Sequence, residues 1–459
     1  MATLIPDPLP TGSATGELEL AKLLRRLPED WIVYHEANVG GLHPDFVILA
    51  PDFGVMVMEI KDWRMTKIQS VDSQSVELST AKRPQGTRVK NPLLQVRQYW
   101  QAVKDQCKSN RFGKDLIATK GEWRGNLCFP VGSVVVFTRI TAAQVETSPH
   151  GEAWNSLFTR ENSVLANELA IWETLEGEDL AAMLKPFFRP FEMRERFSAH
   201  QIDVLRWVLF PESRMDVILR RERADHEQVI EVLDARQECH ARSLGSGHRI
   251  LSGVAGSGKT VLLLARARHL ALTKQGQATL LLCYNKVLSA WLRARIADCP
   301  DVTVLHFDGW AKSMKLSRRR TDDSDAAFGT RVLTQLQSRG DSARVWDTVL
   351  IDEAQDFEPS WFQCALASMR DPEDGDLVIV ADGSQRLYKR NGLSWKALGI
   401  KAAGRTISAR YDLDRNYRNT PVIAALAHGF SDEEVNDDGI GARRVEPNTC
   451  RRSNFSRPV

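Results

Sequence analysis

The sequence has little cysteine, no long apolar run and no excess of charge of either sign. Its seven cysteines are scattered and none forms a CxxC pair, which does not fit a disulfide framework or a zinc module. No run of about 18 uncharged apolar residues occurs, and the N-terminus shows no basic patch before an apolar stretch. Lys and Arg number 61 against 59 Asp and Glu, too balanced for a polycation. These absences favour a cytoplasmic protein with no membrane span, on which any nucleic-acid surface is local.

The order of apolar runs and turn residues predicts an α/β protein. At 459 residues, the chain has room for about three domains of roughly 150 residues each. Helical leucine spacing runs from Gly16 to Leu27, residues 92–106 also look helical, and the stretch from Leu165 to Leu244 reads as mostly helical and charged. Strands are predicted at Trp31–Tyr34, Phe46–Leu49, Val55–Ile60 and Val131–Phe137, then at 249–252, Thr279–Cys283, Thr348–Ile351 and Leu377–Ala381. The later strands alternate with helices, which is typical of a parallel sheet.

A phosphate-binding loop is predicted at Gly253-Val-Ala-Gly-Ser-Gly-Lys-Thr260, which matches GxxxxGK[ST] between a strand and an apolar helix. Its Gly253, Gly256, Ser257 and Gly258 let backbone N–H groups wrap a polyphosphate. Lys259 adds a cation at the β- and γ-phosphates, and Thr260 can bind Mg²⁺. The alternative is a Gly/Ser-rich turn before a buried helix, but the strand–loop–helix frame favours the nucleotide site.

An acidic pair follows a later strand, in Thr348-Val-Leu-Ile-Asp352-Glu353. After a phosphate loop, Asp352 is expected to hold Mg²⁺ and Glu353 to polarise the attacking water. Without such a loop, the same pair would usually be the start of a surface loop.

Two carboxylates and a lysine are predicted to meet on the hairpin closed by Pro51-Asp52-Phe53-Gly54. Because strand side chains alternate, Glu59 and Lys61 share one face, and Asp45 on the adjacent antiparallel strand can lie beside them. Such a group would hold Mg²⁺ through Asp45 and Glu59 and orient a water for phosphodiester attack. A surface salt bridge is the alternative explanation of this spacing.

The acidic motif and two later motifs resemble those of the UvrD/Rep-like superfamily 1 DNA helicases, in their usual order. These are Asp352-Glu-Ala-Gln-Asp356, Val380-Ala-Asp-Gly-Ser-Gln385 and Leu413-Asp-Arg-Asn-Tyr-Arg418. The resemblance implies that Gln385 and Arg418 contact the γ-phosphate of ATP and that an upstream glutamine recognises adenine. Gln237 is the better match for that glutamine and Gln201 the second choice.

The same resemblance implies contacts with DNA of single-stranded character from loops above the sheet. Tyr284 and Asn285, together with Phe307 and Trp310, occupy the matching places. Bases stack on aromatic rings in such sites, but rings at strand ends are commonly core residues, and both readings of Phe307 and Trp310 stay open.

The N-terminal block resembles the nuclease-related domain (NERD) of the PD-(D/E)xK nuclease superfamily. The resemblance rests on Glu17 after Gly16, on Asp45, Glu59 and Lys61, and on Gln95-Val-Arg-Gln-Tyr99 after Asn91-Pro92. It implies an active site of Glu17, Asp45, Glu59 and Lys61, with Gln95 and Tyr99 on an accompanying helix.

These resemblances predict a NERD domain at 10–150, a helical connector at 151–235 and a RecA-like ATP-binding domain at 236–430. Residues 431–459 are then a tail. The second motor half of a superfamily 1 helicase is expected to be missing, which puts strand separation in doubt and suggests self-association or a protein partner.

The sequence therefore predicts a DNA-acting enzyme that uses ATP and Mg²⁺ and combines DNA cleavage with an incomplete helicase motor. An ATP-dependent DNA-binding or recruitment module, and a truncated product without helicase activity, are the alternatives. Repair and defence against foreign DNA both fit such an enzyme.

Overall fold

The computed structural model describes residues 1–10, 12–80, 83–193, 195–222, 225–233, 235–253, 258–274, 276–322, 324–382, 395–402 and 406–407. Contacts divide the chain into unit 1, Met1–Ser243, and unit 2, Leu244–Val459. Among the described residues, no helix is both long enough and apolar enough to cross a membrane.

Unit 1 is a mixed α/β structure. Its strands are Thr3–Ile5 (β1), Ile32–His35 (β2), Phe46–Ala50 (β3), Gly54–Lys61 (β4), Ile68–Val71 (β5), Ser75–Thr80 (β6), Arg83–Lys90 (β7), Val131–Phe137 (β8), Ser163–Leu165 (β9), Arg214–Glu222 (β10) and Asp225–Val232 (β11). Its helices are Thr15–Leu24 (α1), Pro92–Ser109 (α2), Ala142–Glu146 (α3), Gly151–Leu157 (α4), Ala166–Trp172 (α5), Gly177–Leu184 (α6), Ala199–Leu209 (α7) and Ala235–Ser243 (α8).

The main sheet of unit 1 has the strand order β1-β2-β3-β4-β8-β9. Strands β3 and β4 form the predicted antiparallel hairpin, with Phe46 opposite Met58, and β4 runs parallel to β8. Alternate residues of the hairpin enter different cores: Val47 and Val57 join the core that contains α2, whereas Ile48 and Met56 join the core that contains α1. Both faces of the sheet are therefore covered, which explains the unbroken apolar runs in the sequence.

Helix α2 begins at a clear sequence signal. The Asn91 side chain accepts a hydrogen bond from the Leu93 N–H at 2.9 Å, and Pro92 occupies the first turn. Val96, Tyr99 and Val103 recur at helical spacing and are buried against the sheet. This burial fixes which side of α2 faces β4 and brings Tyr99 towards the hairpin.

The helical prediction for residues 165–244 was wrong between Arg214 and Val232. There the chain forms the antiparallel hairpin of β10 and β11. Its sequence mixes charged residues with a few β-branched ones, and charge alone does not distinguish a strand from a helix. The three-stranded antiparallel sheet β5-β6-β7 was likewise not predicted.

A buried ionic cluster ties α8 into unit 1. Arg206 of α7 donates hydrogen bonds to Tyr34 Oη at 3.0 Å and to Glu238 of α8 at 2.9 Å. Tyr34 Oη donates to the same carboxylate at 2.9 Å, and Arg242 bridges Glu238 and Glu212. All five side chains are almost completely buried. Removing one partner from such a cluster leaves uncompensated buried charge, so α8 is an integral part of this unit.

Unit 2 is built on a parallel sheet with the order β14-β13-β15-β16-β12-β17. Its strands are His248–Gly253 (β12), Thr279–Cys283 (β13), Val302–His306 (β14), Thr348–Ile351 (β15), Asp376–Asp382 (β16) and Thr406–Ile407 (β17). Its helices are Lys259–Thr273 (α9), Lys286–Arg295 (α10), Phe307–Ser313 (α11), Asp325–Arg339 (α12) and Pro359–Ala367 (α13). The predicted parallel α/β sheet is thus confirmed, and the carboxyl ends of its strands share one edge.

Candidate active sites

Asp45 and Glu59 lie across from each other on the β3–β4 hairpin. Asp45 directly precedes β3 and Glu59 directly follows Met58, and the register pairs Phe46 with Met58. The Asp45 carboxylate accepts a hydrogen bond from the backbone N–H of Ile60 at 2.5 Å. The strand register therefore brings two carboxylates together at the end of the hairpin, as the alternation of side chains predicted.

Lys61 completes the group on the same strand. Its Nζ donates a hydrogen bond to Glu59 Oε1, and its side chain is 18% exposed, against 4% for Glu59. The other oxygen, Glu59 Oε2, is buried and has no hydrogen bond of normal geometry within the described residues. A buried carboxylate oxygen without a donor is unfavourable, so this site is suited to a cation.

The environment of Asp45 opposes its ionisation. Its pKa is raised to about 7, first by burial and then by the charge of Glu59. The Ile60 N–H and the Lys61 ammonium act in the opposite direction, and Glu17 adds to the rise. The carboxylates are thus close enough to interact strongly, as two ligands of one cation would be.

Tyr99 lies beside these carboxylates on α2. Burial raises the pKa of its hydroxyl, and the charges of Glu59 and Asp45 contribute to the rise. The Gln95 side chain, one helical turn earlier, interacts with the same hydroxyl and has the opposite effect on its pKa. Helix α2 therefore brings both predicted residues to the hairpin carboxylates.

Helix α1 brings Glu17 to the same place. Its N-terminus is held by the Gly16 N–H, which donates to Asp62 Oδ2 at 2.9 Å just beyond β4. A Cβ on Gly16 would lie 2.1 Å from Asp62 Oδ1, so a larger residue here would displace the Asp62 side chain. The Glu17 carboxylate lies 3.0 Å from His35 Nε2 at the end of β2. His35 was not predicted, because a lone histidine after an apolar strand has no distinctive spacing.

The residues of this first site fit a divalent cation such as Mg²⁺. Hard cations bind carboxylate oxygens, and Asp45 and Glu59 provide two such groups, with one buried oxygen that has no partner among the residues described. Lys61 limits the net negative charge. Asp45 and Glu59 would hold the ion, which when bound supplies charge to the scissile phosphate and lowers the pKa of a water.

The second site begins where β12 leads into α9. Gly258 caps α9 with φ +86°, a left-handed conformation that favours glycine, and Lys259 and Thr260 form the first turn. Lys259 is only 7% exposed. The backbone N–H groups at this helix start are not used within the helix and can bind phosphate oxygens. A strand and a helix thus flank the motif, as predicted, while its residues 254–257 lie outside the described part of the chain.

Asp352 faces this helix start from the end of β15. Thr260 Oγ1 donates a hydrogen bond to Asp352 Oδ1 at 3.3 Å, while Asp352 Oδ2 is buried without a partner in the described part of the chain. The pKa of Asp352 is raised to about 7, mainly by burial and then by the charge of Glu353. Thr260 and Asp352 therefore fit a divalent cation by the same criterion as the hairpin carboxylates.

Glu353 departs from ordinary backbone geometry. It has φ +49°, which is left-handed and uncommon for a residue with a side chain, and its carboxylate accepts a hydrogen bond from Gln355. Such strained positions concentrate at functional sites. The turn places Glu353 directly after the buried Asp352, at the edge of the sheet.

Comparisons with known families agree with this division. The model of a family described as "nuclease-related domain" matches residues 12–138. A second model, described as "AAA domain", matches residues 236–391 and is of the kind typical of UvrD/Rep-like helicases. The chain joins a nuclease-related domain to an AAA domain. No curated protein matches the chain significantly.

The two matches divide the candidate residues between them. The nuclease-related domain includes the predicted nuclease residues, which are Glu17, Asp45, Glu59, Lys61, Gln95 and Tyr99. The AAA domain includes Lys259, Thr260, Asp352 and Glu353. The chain is therefore a nuclease- and helicase-type protein with a nucleotide-binding AAA domain, and DNA is the substrate class that both domains suggest.

Several predicted nucleotide contacts fall outside the described residues. These are Gly256, Ser257, Gln385 and Arg418. Gln237 lies on α8 of unit 1 and is 9% exposed. The alternative glutamine, Gln201, accepts a hydrogen bond from the Ser198 N–H at 3.0 Å and so has a role at the start of α7. Recognition of adenine by Gln237 stays a prediction.

The residues after β13 form an exposed surface on the AAA domain. Tyr284, just before α10, is 40% exposed, and Val287 and Trp291, one helical turn apart on α10, are 81% and 39% exposed. The guanidinium of Arg295 lies 3.6 Å from the centroid of the Trp291 ring. Asn285 caps the helix by accepting a hydrogen bond from the Leu288 N–H at 2.8 Å, so this side chain already has a structural role.

The burial of Phe307 and Trp310 corrects the prediction of DNA contact for these two residues. Both are 0% exposed, and the Phe307 ring stacks on Trp361 with centroids 4.0 Å apart. A base can stack only on an exposed ring face. The alternative, that they are core residues at a strand end, is the one that agrees with the structure.

Proposed function

We propose that this chain is a DNA-processing enzyme with two separate reactions. The nuclease-related domain cleaves DNA phosphodiester bonds with Mg²⁺, and the AAA domain binds and hydrolyses ATP with Mg²⁺. One observation carries both halves: each domain buries a carboxylate, Glu59 or Asp352, one oxygen of which accepts no hydrogen bond from the described residues and can bind a cation.

In the cleavage reaction, the roles of the side chains follow from their positions. Lys61 donates one N–H to Glu59 and, being partly exposed, has further N–H donors for a phosphate oxygen or a water. Asp45 and Glu59 attract the cation that neutralises the phosphate. Tyr99 and Gln95 interact with each other beside these carboxylates. This contact limits the movement of the carboxylate side chains.

In the nucleotide reaction, Lys259 and the first turn of α9 bind the phosphates. Asp352 and Thr260 hold the cation, and Glu353 orients the attacking water from the next position along the chain. ATP hydrolysis is expected to be slow if no arginine from outside the AAA domain contacts the γ-phosphate. Such an arginine can increase the rate by about 10³–10⁵.

The exposed side of α10 supports binding of DNA with single-stranded character. Tyr284 and Trp291 offer partly exposed rings to unstacked bases, and Lys286 and Arg293 are exposed beside them and bring positive charge. No acidic residue occurs between Tyr284 and Ala297. Aromatic rings among cations, without carboxylates, are the usual composition of a single-strand-binding surface.

The test is DNA cleavage by the full chain with Mg²⁺ or with EDTA, using Glu59→Gln and Lys259→Ala as a matched pair. Glu59→Gln keeps the shape of the side chain but removes its charge, so we expect cleavage to be lost. Lys259→Ala alters only the AAA domain, so cleavage should persist. Mg²⁺-independent cleavage, or equal activity of Glu59→Gln and the parent, would refute the proposed nuclease site.

A further inference from the structure

His35 has no role in the reaction described so far, yet it is completely buried beside the nuclease site. Its side chain is 0% exposed, at the carboxyl end of β2. The ring packs against Phe46 on the neighbouring strand, with centroids 5.1 Å apart. Burial of an imidazole is unfavourable unless its nitrogens have hydrogen-bond partners. The partners of the His35 ring nitrogens therefore indicate which role this residue has.

Among the described residues, the polar side-chain partner of His35 is Glu17. Nε2 lies 3.0 Å from Glu17 Oε2, and the same oxygen accepts the Ala14 N–H at 3.3 Å. Within the described residues, Glu17 Oε1 accepts no hydrogen bond. The two donors therefore fix one oxygen of Glu17 and leave the other available to a ligand.

His35 also connects to the strand that carries Asp45. In the β2–β3 register, His35 pairs with Phe46, and the N–H of Glu36 donates to the Asp45 carbonyl at 3.0 Å. At this end of β2, the His35 side chain therefore contacts Glu17, and the next backbone N–H, that of Glu36, contacts Asp45. The charge of Glu17 contributes to the raised pKa of Asp45, so the two carboxylates are close enough to repel each other.

The hydrogen-bond pattern assigns the proton on His35. A carboxylate can only accept, so Nε2 carries the hydrogen that faces Glu17. Nδ1 is buried and has no partner among the described residues. The donor to Glu17 is thus preorganised, because the packed ring cannot turn towards water.

We propose that His35 is a positioning residue of the nuclease reaction, whose Nε2–H holds the Glu17 carboxylate next to Asp45 and Glu59. This inference rests on the proposed nuclease function. Carboxylates in metal sites are commonly fixed by such partners, and removing a partner typically costs about 10- to 100-fold in activity or metal affinity.

The test is a double-mutant cycle in the full chain with His35→Ala, Glu17→Ala and the double variant. We measure the rate of DNA cleavage and the Mg²⁺ concentration that gives half the maximal rate. His35→Ala should lower the rate by roughly 10- to 100-fold or raise that concentration similarly. Because His35 acts through Glu17, the double variant should be no worse than Glu17→Ala alone.

Two further variants separate positioning from folding. His35→Gln keeps a side-chain N–H donor and should recover much of the lost activity. Phe46→Leu loosens the packing of the ring but keeps the hydrogen bond, so its loss of activity should be much smaller than that of His35→Ala. Losses that are equal for Phe46→Leu and His35→Ala, or no recovery with His35→Gln, would show that His35 is merely structural.

Additive losses in the cycle would overturn the inference, because His35 would then act independently of Glu17, for instance by binding the ion itself. Absence of cleavage by the parent chain would instead refute the proposed nuclease function. In that case the same cycle is measured by calorimetric titration with Mn²⁺. Non-additive losses of Mn²⁺ affinity support the positioning role, and additive or absent losses overturn it.

Discussion

Thr260 and Asp352 lie 92 positions apart in the sequence, yet Thr260 Oγ1 donates a 3.3 Å hydrogen bond to Asp352 Oδ1. This distance is at the long end for a hydroxyl donor, so the bond is weak. The remaining oxygen of Asp352 is buried and has no partner within the described residues. The two side chains are therefore held in place by one weak hydrogen bond and keep unused capacity to bind a ligand. This is expected of two groups that share a cation.

Lys259→Ala should weaken nucleotide binding. Loss of a charge-assisted contact costs about 1.5–3 kcal/mol, which corresponds to roughly 10- to 150-fold in affinity. Isothermal titration with ATP and Mg²⁺ measures the change. Because the lysine is buried, thermal unfolding without nucleotide serves as the folding control. Unchanged affinity in a folded variant would show that the phosphate-loop assignment is wrong.

Asp352→Asn should weaken binding of Mg²⁺–ATP more than binding of metal-free ATP. The amide oxygen can still accept the Thr260 hydroxyl, but the charge that attracts the cation is gone. Titrations in Mg²⁺ and in EDTA give the two affinities. If both fall by the same factor, Asp352 has a structural effect and does not hold the ion.

Asp45→Asn should change the pH dependence of stability. Since the folded state raises the pKa of Asp45 from 3.8 to about 7, it retains a proton that the unfolded chain has lost in this window. The parent therefore loses stability as the pH rises from about 4 to 7 without metal. The variant lacks this loss and, in EDTA at about pH 8, should be more stable by roughly 1–3 kcal/mol.

Addition of Mg²⁺ should reverse that order. Binding requires an ionised Asp45, so Mg²⁺ should stabilise the parent more at about pH 8 than at about pH 5.5, and should stabilise Asp45→Asn little at either. Calorimetric unfolding with Mg²⁺ and with EDTA measures both effects. An equal Mg²⁺ effect on parent and variant would exclude Asp45 as a ligand.

Trp291→Ala should reduce affinity for single-stranded DNA. Stacking of a base contributes about 1–3 kcal/mol, or roughly 5- to 150-fold in affinity. Fluorescence anisotropy with a labelled oligonucleotide measures it. Trp123→Ala, at a residue 36% exposed in unit 1, is the matched control and should have little effect. Equal losses for both tryptophans would argue against a specific surface on α10.

Local sequence patterns were sufficient for the strands that carry the two sites. The β-branched run Val131–Phe137 is a strand over the same residues, and the turn after Ala50 produces the hairpin that aligns Asp45 with Glu59. Alternation along a strand is a short-range property, so it can be read without knowing the fold. For this reason the hairpin carboxylates were predictable.

Contacts between distant segments were not predictable in this way. His35 and Glu17 meet only because α1 packs against the sheet beside β2, and neither residue signals the other in the sequence. The exposure of Trp291 and the burial of Trp310 depend in the same way on which side of a helix meets the core. A helical repeat shows that one side is apolar, but not whether a neighbouring element covers it.

The ionic cluster around Glu238 has a practical consequence for dividing this protein. The AAA family match starts at residue 236, whereas the compact first unit continues to Ser243. A nuclease fragment that ends before residue 236 would lose Glu238. Arg206 and Tyr34 would then be buried without the carboxylate to which they donate hydrogen bonds. Extending that fragment through Ser243 retains the counter-charge. The natural cut point is thus set by charge compensation in the interior rather than by the limits of sequence similarity.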